Sequence, residues 1–260
     1  MKLSIIITHH HTPELLDLCI NSIKNTISNL EYEIIVLNSE TRERDEEFIK
    51  DKWPEIKIIS FKKNIGYSKL INKGIKEAQG DFILILNADI ITLEGAVSEM
   101  LEYIKEHKDV GVIAPQLQDY TNNLQISCFN DPNFYVILAR RTFFGKTKKG
   151  KKILEKFFIN TDSLQEVDWA QGSAILFRRD LIDKVGLWDE KFFMYFEDAD
   201  WCRRIRKAGY KIIYLPSAKM IHYYHRSSKK LGILGDLIFN KYTRIHIVSA
   251  IKYFKKYGFK

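Results

Sequence analysis

Three carboxylates fall within four positions, Glu197, Asp198 and Asp200, directly behind the apolar run Phe192-Phe193-Met194-Tyr195-Phe196. Apolar flanks imply burial, and a buried carboxylate is costly unless it is paired or used. Clustered acids also shift one another's proton affinity, so one of them can be poised as a base. Asp198 has aromatic neighbours and Glu197 beside it, so it is expected to be a general base working near neutral pH. Glu197 is expected to support it by repulsion. Asp200 is expected to pair with Arg203 and Arg204 at helical spacing.

Other residue groups also carry chemistry. Asn87-Ala88-Asp89 follows the most apolar run of the chain, Phe82 to Leu86. An aspartate there either caps the next helix or holds a divalent cation against a diphosphate. Magnesium commonly takes one or two protein carboxylates plus phosphate oxygens. His222 and His225 follow a late strand and suit a cation, a phosphate or simple packing. Trp169-Ala170-Gln171-Gly172-Ser173 sets a flat aromatic and a glycine before a strand. Glycine lets a ligand approach the backbone, while the tryptophan either stacks on a sugar or packs in the core. Asn64-Ile65-Gly66-Tyr67 reads as a turn needing positive φ, with Asn64 bonding a ligand or its own backbone. His9, His10 and His11 are adjacent after a strand. Such residues point different ways, so the run reads against a shared metal.

The elements that must position these residues alternate. Leu3 to Thr8, Glu33 to Leu37, Ile56 to Phe61, Phe82 to Leu86 and Val110 to Ala114 read as strands, the last ending at Pro115. Thr12 and Pro13 open a helix carrying Leu15, Leu18, Cys19 and Ile23. Lys69 to Gln79 and Leu93 to Glu106 read as further helices. This alternation predicts an α/β fold with a mostly parallel sheet flanked by helices, its ligands lying beyond the carboxyl ends of the strands. Thr8, His10, Asn38, Asn64 and Asn87 to Asp89 fall there or nearby. Leu117 to Asn160 is polar, basic and aromatic, and reads as a long loop with short helices. A strand follows at Ala174 to Phe177, a helix at Glu197 to Ala208, and a strand at Tyr210 to Leu215 closed by Pro216.

Composition narrows the class. The chain has 260 residues, 45% of them hydrophobic, which supports a globular core. Lysine and arginine number 41 against 33 acids, a net charge of +8 that favours anionic partners. The basic residues gather at Arg140 to Lys156 and from Arg226 onward. They form no recognisable nucleic-acid reading element, so nucleic acid is not expected as a partner. Cys19, Cys128 and Cys202 are widely spaced, which fits a reducing compartment and argues against a zinc site. No apolar run approaches a membrane span, and the first residues are too short an apolar run for a signal peptide. A cytoplasmic protein is expected. From residue 229 to 260, apolar positions such as Ile233, Leu237, Ile245 and Ile251 interleave with Lys241, Arg244, Lys252 and Lys255. That suits either an interfacial helix, in peripheral contact with a membrane, or a helix packed on the domain.

Taken together, these motifs resemble family-two glycosyltransferases with a GT-A fold, especially the rhamnosyltransferase-like group. The likeness runs from about Leu3 to Ser228. It rests on the Pro-Glu-Leu-Leu helix after the first strand and on Asn-x-Gly-x-x-x-x-x-Asn-x-Gly at Asn64, Gly66, Asn72 and Gly74. It rests further on Asn87-Ala88-Asp89 in place of an Asn-Pro-Asp metal motif, on Trp169, Gly172 and Ser173, and on Val185-Gly186-Leu187-Trp188-Asp189-Glu190 leading into the acid segment.

The resemblance implies a GT-A domain over residues 1–228, with a nucleotide-sugar half (1–115), an acceptor half (116–228) and a C-terminal helical extension (229–260). It implies inverting transfer from a dTDP-, UDP- or GDP-linked sugar to a saccharide or lipid-linked saccharide, in cell-surface polysaccharide synthesis. Asp198 would deprotonate the acceptor. Asp89, with His222, would hold Mg²⁺ or Mn²⁺. Thr8, His10, Asn38, Asn64, Lys69 and Asn87 would surround the nucleotide-sugar. Trp169, Gly172, Ser173 and Tyr195 would meet the acceptor. The chain departs from the pattern at Asn38-Ser39, where relatives carry an Asp that contacts the base, and in having one carboxylate at the metal motif. A nucleotidyltransferase and an inert nucleotide-sugar-binding homologue are the competing classes.

Overall fold

The computed structural model describes residues 2–28, 30–223 and 240–259. Its first third alternates as the apolar runs predict: β1 (Lys2–His9), α1 (Pro13–Thr26), β2 (Glu31–Ser39), α2 (Glu43–Lys52), β3 (Lys57–Phe61), α3 (Tyr67–Glu77) and β4 (Phe82–Asn87). Helix α2 has no sequence signature because it buries only Asp45 and Ile49. Next come β5 (Ile90–Thr92), α4 (Ala96–Glu106) and β6 (Val110–Gln118). The basic stretch folds as β7 (Leu124–Gln125), β8 (Cys128–Phe129), α5 (Phe134–Arg141), a 3₁₀ turn (Phe143–Lys146) and α6 (Lys148–Phe157). The chain continues through β9 (Gln165–Glu166), β10 (Trp169–Ala170), β11 (Ala174–Arg178), α7 (Leu181–Val185), α8 (Glu197–Lys207), β12 (Lys211–His222) and α9 (Lys241–Tyr257).

The main sheet runs β3-β2-β1-β4-β11-β6-β12-β5. It is parallel from β3 to β4 and again between β6 and β12, while β11 and β5 enter antiparallel. Both faces are covered, which is why its strands read as unbroken apolar runs. Ile6, Ile35, Leu37, Ile83 and Ile85 belong to one core layer, and Ile5, Ile7, Val36, Leu84 and Leu86 to the other.

Two prolines were expected to end strands and do not. Pro115 lies within β6. In β12 the pairing slips between Leu215 and Lys219, so Pro216 sits in an irregularity and the strand resumes beyond it. Proline removes one ladder donor, and a bulge absorbs that loss. The continued strand delivers His222 to the site.

Helix α9 is packed on the domain. It buries Thr243, Ser249, Ala250, Tyr253 and Phe254, and the last three join the same core layer as Ile6 and Trp201. Ser249 Oγ donates to the Met194 carbonyl at 2.8 Å, and Lys256 Nζ lies 2.6 Å from Asp200 Oδ1. Its opposite face leaves Ile247, Val248 and Ile251 exposed beside Arg244 and Lys255. Among the described residues no helix is long and apolar enough to cross a membrane. Ile233, Leu237, Ser228 and His225 lie outside the described residues.

Candidate active site

The acid segment is held from two sides. Tyr195 and Phe196 both have left-handed backbones, φ 70° and 65°. Bulky residues in that region are unfavourable unless their surroundings fix them. Phe196 is buried and packed against Trp169, Tyr253 and His246, with ring centroids 6.4, 5.2 and 5.3 Å away. The double turn ends at the first residue of α8, so Glu197 is driven inward and Asp198 stays partly exposed.

From the other side, the start of α3 clamps the same segment. Tyr67 N–H donates to the Phe193 carbonyl at 2.6 Å and Ser68 Oγ to the Phe192 carbonyl at 2.8 Å. The Asn72 side chain exchanges two bonds with the Trp188 backbone, 2.9 and 3.0 Å. Gly66 has φ +88°, and a Cβ there would lie 2.7 Å from the Phe193 carbonyl oxygen. Asn64 Oδ1 accepts from Gly66 N–H at 2.9 Å and so spends itself on that turn. The Asn-x-Gly motif thus docks α3 against the acid segment.

Asp198 takes Gly172 N–H at 3.2 Å and Ala199 N–H at 2.8 Å. Burial raises its pKa to about 6, while these donors pull the other way. The Trp169 indole acts in the same direction as the donors without meeting hydrogen-bond geometry. Glu197 is buried, and its Oε2 has no hydrogen-bond partner. Burial, followed by the neighbouring Asp198 charge, holds its pKa well above the carboxylate range. Desolvation is the leading cause of the shift at both carboxyls. Asp200 is fully buried and bound by Arg204 at 3.0 Å and by Lys256 and Tyr257 of α9. Arg203 turns instead to Tyr253 and Tyr257.

A hydrogen-bonded line crosses from this platform to the strand ends. Tyr67 Oη donates to the Gly172 carbonyl at 2.7 Å, and Asn87 Oδ1 lies 3.2 Å from the same hydroxyl. Thr8 Oγ1 donates to Asn87 Oδ1 at 2.9 Å. Asn87 N–H donates to the Ser173 carbonyl at 2.9 Å. A Cβ on Gly172 would lie 2.7 Å from Trp188, so only glycine fits there. Burial, then the charges of Glu197 and Asp198, push the Tyr67 hydroxyl well above its usual pKa and keep it a neutral donor.

Asp89 and His222 meet across β5 and β12, where Tyr223 N–H donates to the Asp89 carbonyl at 2.9 Å. His222 Nε2 lies 3.4 Å from Asp89 Oδ1. His222 Nδ1 lies 3.0 Å from Gln125 Oε1, and the Gln125 amide nitrogen donates to the His222 carbonyl at 3.0 Å. That amide orientation makes Gln125 Oε1 an acceptor, so Nδ1 donates to it and Nε2 is the nitrogen that faces Asp89. Asp89 Oδ1 is buried without a hydrogen-bond partner. A carboxylate oxygen and an imidazole nitrogen at ligand-to-ligand spacing, one of them orphaned, fit a divalent cation.

The remaining expected residues divide. Asn38 is buried and accepts from His9 Nδ1 at 3.0 Å, since His9 Nε2 accepts Thr12 N–H. The Asn38 amide nitrogen is left without a partner, as is Ser173 Oγ. His10 is exposed and paired with Glu40 at 3.1 Å, away from the Thr8–Asn87–Tyr67 line. Lys69 lies on the exposed face of α3 and joins none of these bonds. Trp169 packs against Phe129 and Phe196, so its faces belong to the core. Tyr195 lies against His246, 5.0 Å between rings. Sequence reasoning missed Tyr67 and Gln125. Tyr67 follows the Gly66 turn at a helix start, a position that aims a side chain at a strand-end cleft; Gln125 has no local signal.

Residues 4–186 match the profile of glycosyl transferase family 2, and the chain belongs to that family. The match ends before the acid segment. A rhamnosyltransferase of Mycobacterium tuberculosis, named N-acetylglucosaminyl-diphospho-decaprenol L-rhamnosyltransferase, is 26% identical over 192 residues, 66% of this chain and 60% of its own. The Escherichia coli rhamnosyltransferase WbbL is 28% identical over 187 residues, 70% and 65% of the two chains. This chain thus spans under two thirds of the length of either relative. Among solved structures, GalNAc-T7, crystallised with UDP, GalNAc and Mn²⁺, superposes with a TM-score of 0.65 at 14% identity over 97% of this chain and 51% of that one. TarS of S. aureus superposes with a TM-score of 0.61 at 14% identity, 98% and 40%. These superpositions show a GT-A fold.

Proposed function

We propose that this chain is a divalent-metal-dependent, inverting glycosyltransferase. It would move rhamnose or another hexose from a dTDP-, UDP- or GDP-linked donor to a saccharide or lipid-linked saccharide in cell-surface polysaccharide synthesis. The observation that carries this reading is Asp198: a partly exposed carboxylate with a pKa near 6, tied through Gly172, Tyr67 and Asn87 to the strand end bearing Asp89.

In this reading Asp198 takes the proton of the acceptor hydroxyl as that oxygen attacks the anomeric carbon. The carbon–phosphate-oxygen bond breaks on the opposite face, so one displacement inverts the centre and the nucleoside diphosphate leaves. Gly172 and Ala199 N–H groups hold the carboxylate in place before transfer. Asp89 and His222 would hold Mg²⁺ or Mn²⁺, which supplies charge neutralisation for the diphosphate leaving group. The donor would lie over the ends of β1, β2 and β4, near Thr8, Asn38 and Asn87, with the acceptor over the 116–228 half and Ser173 Oγ within its reach. The exposed Ile247, Val248 and Ile251, flanked by Arg244 and Lys255, support peripheral contact with the cytoplasmic membrane face.

The test is a panel of nucleotide-sugars with Mn²⁺ and a diphosphate-linked N-acetylglucosamine lipid as acceptor. One donor should raise the melting temperature in the presence of metal and give a product of inverted anomeric configuration by NMR. No donor-dependent shift and no transfer, or a retained configuration, would overturn the reading.

A further inference from the structure

His10, His11 and Glu40 lie apart from the hydrogen-bonded line of the candidate active site. They follow the carboxyl ends of β1 and β2, and one ligand atom from each comes within 4.8 Å of the other two. The two histidines are neighbours in sequence, and in an extended chain they would diverge. Here His11 and Glu40 both have left-handed backbones, φ 57° and 55°. Each folds its side chain back, and the imidazole rings close to 4.1 Å between centroids. Two of the three histidines thus share a site, while His9 turns to Asn38 and Thr12.

The first of two distances fits the spacing of coordinating ligands, and the second places a carboxylate behind one of them. His10 Nε2 lies 3.1 Å from Glu40 Oε2, and His11 Nδ1 lies 3.6 Å from Asp45 Oδ2. Ligands about 2.0–2.1 Å from a tetrahedral ion sit about 3.3–3.4 Å apart. The second pair points independently to a ligand. Asp45 is 7% exposed, and its Oδ2 and His11 Nδ1 are both buried atoms without a hydrogen-bond partner. Metal-bound histidines usually turn their other nitrogen to a carboxylate, which fixes the tautomer. Asp45, in the first turn of α2, stands where that carboxylate is needed.

We propose that His10, His11 and Glu40 form a transition-metal site, with Asp45 orienting His11 so that its Nε2 faces the ion. Two imidazoles and a carboxylate are a borderline ligand set that suits Zn²⁺ over Mg²⁺. Three protein ligands leave a fourth position open to water. Lys241 acts on Glu40 from the start of α9 and competes with the ion for that carboxylate. The ion would tie the turn after β1 to the turn after β2, next to the His9–Asn38 pair. This site is separate from Asp89 and does not depend on the proposed transfer reaction.

The test is calorimetric titration of the EDTA-stripped full chain with ZnCl₂, repeated with Co²⁺ followed by visible absorption. The wild type should take up about one tight equivalent and give the intense d–d bands of a tetrahedral Co²⁺ centre. Glu40→Gln and His11→Ala should each weaken that equivalent at least about tenfold, and Asp45→Asn by about 10–100-fold. Asp89→Asn should leave it intact. Glu40 is exposed, so E40Q keeps the fold testable if H11A does not, with circular dichroism melts as the control. Wild-type-like affinity in E40Q, or loss of the equivalent in D89N, would overturn the proposal.

Discussion

Tyr67 Oη donates to the Gly172 carbonyl at 2.7 Å across 105 residues of sequence. Gly172 N–H in turn donates to Asp198. One residue thus accepts a hydrogen bond from α3 through its carbonyl and, through the preceding peptide, donates one to the carboxylate in the first turn of α8. The Tyr67 bond therefore fixes the donor that holds Asp198.

Tyr67→Phe removes that bond and leaves the ring, which tilts against Trp188 at 5.8 Å. The fold should persist, because Phe fills the same volume. A lost neutral hydrogen bond is worth about 0.5–1.5 kcal/mol. If it acts mainly through Asp198, kcat should fall several-fold while the donor KM changes little. Steady-state kinetics with the donor varied separates this from a donor-binding role, in which KM would carry the effect.

The Asp198 pKa of about 6 sets a pH dependence. A general base works only when ionised, so kcat/KM should rise with pH through about 6 and level off above about 7. Asp198→Asn should lower kcat by about 10²–10⁴-fold and abolish that limb while donor binding remains. Burial is the leading cause of the Asp198 shift, so Glu197→Gln should keep the midpoint near 6. A midpoint near 4 in the wild type would contradict the burial of Asp198.

Asp200 anchors α9 to α8. It is fully buried and takes Arg204, Lys256 and Tyr257 at 3.0, 2.6 and 2.8 Å. Removing one partner of a buried ion pair costs about 3–5 kcal/mol, because the other charges lose their counterion. Asp200→Ala should lower stability by about that amount in urea titration. Lys256→Met should do less, since Lys256 is more than a third exposed and keeps its charge largely hydrated.

Much of this was legible in the residues. The strands of the first half announce themselves because both faces are buried, and Asp198 was marked by its apolar flank. Asn72, Gly66 and Gly172 were visible as a pattern, but their work is tertiary: each makes a contact with the Trp188–Phe193 segment or with Asp198, which sequence spacing does not show. Pro216 misled, because a bulge lets β12 continue to His222. Tyr67 was passed over, since its partner lies 105 residues away. His11 has a positive φ that the position of the run after a strand does not show.

His246 gives the last test, and its sign opposes that of Asp198. It sits on α9 between Tyr195, Phe196 and the two arginines that close α5. Burial, then Arg141 and Arg140, lower its pKa from 6.5 to about 3. Above pH 6.5 the ring is neutral in both folded and unfolded chains, and contributes no pH dependence. Between 6.5 and about 3 the unfolded chain takes up a proton that the folded chain refuses, so stability falls as pH falls. At pH 5.5 the penalty is about 1.4 kcal/mol, one unit below the unfolded value. Asp198 runs the other way over much of this range, because its folded pKa is raised and the folded chain is the one that binds the proton. The comparison must therefore hold Asp198 constant. His246→Phe keeps an aromatic ring in the cluster and removes the titration. Its stability relative to wild type should rise as pH is lowered from 7 to 5.5, by about 1.4 kcal/mol in paired urea titrations. A difference that does not change with pH would mean that His246 takes up its proton in the folded protein.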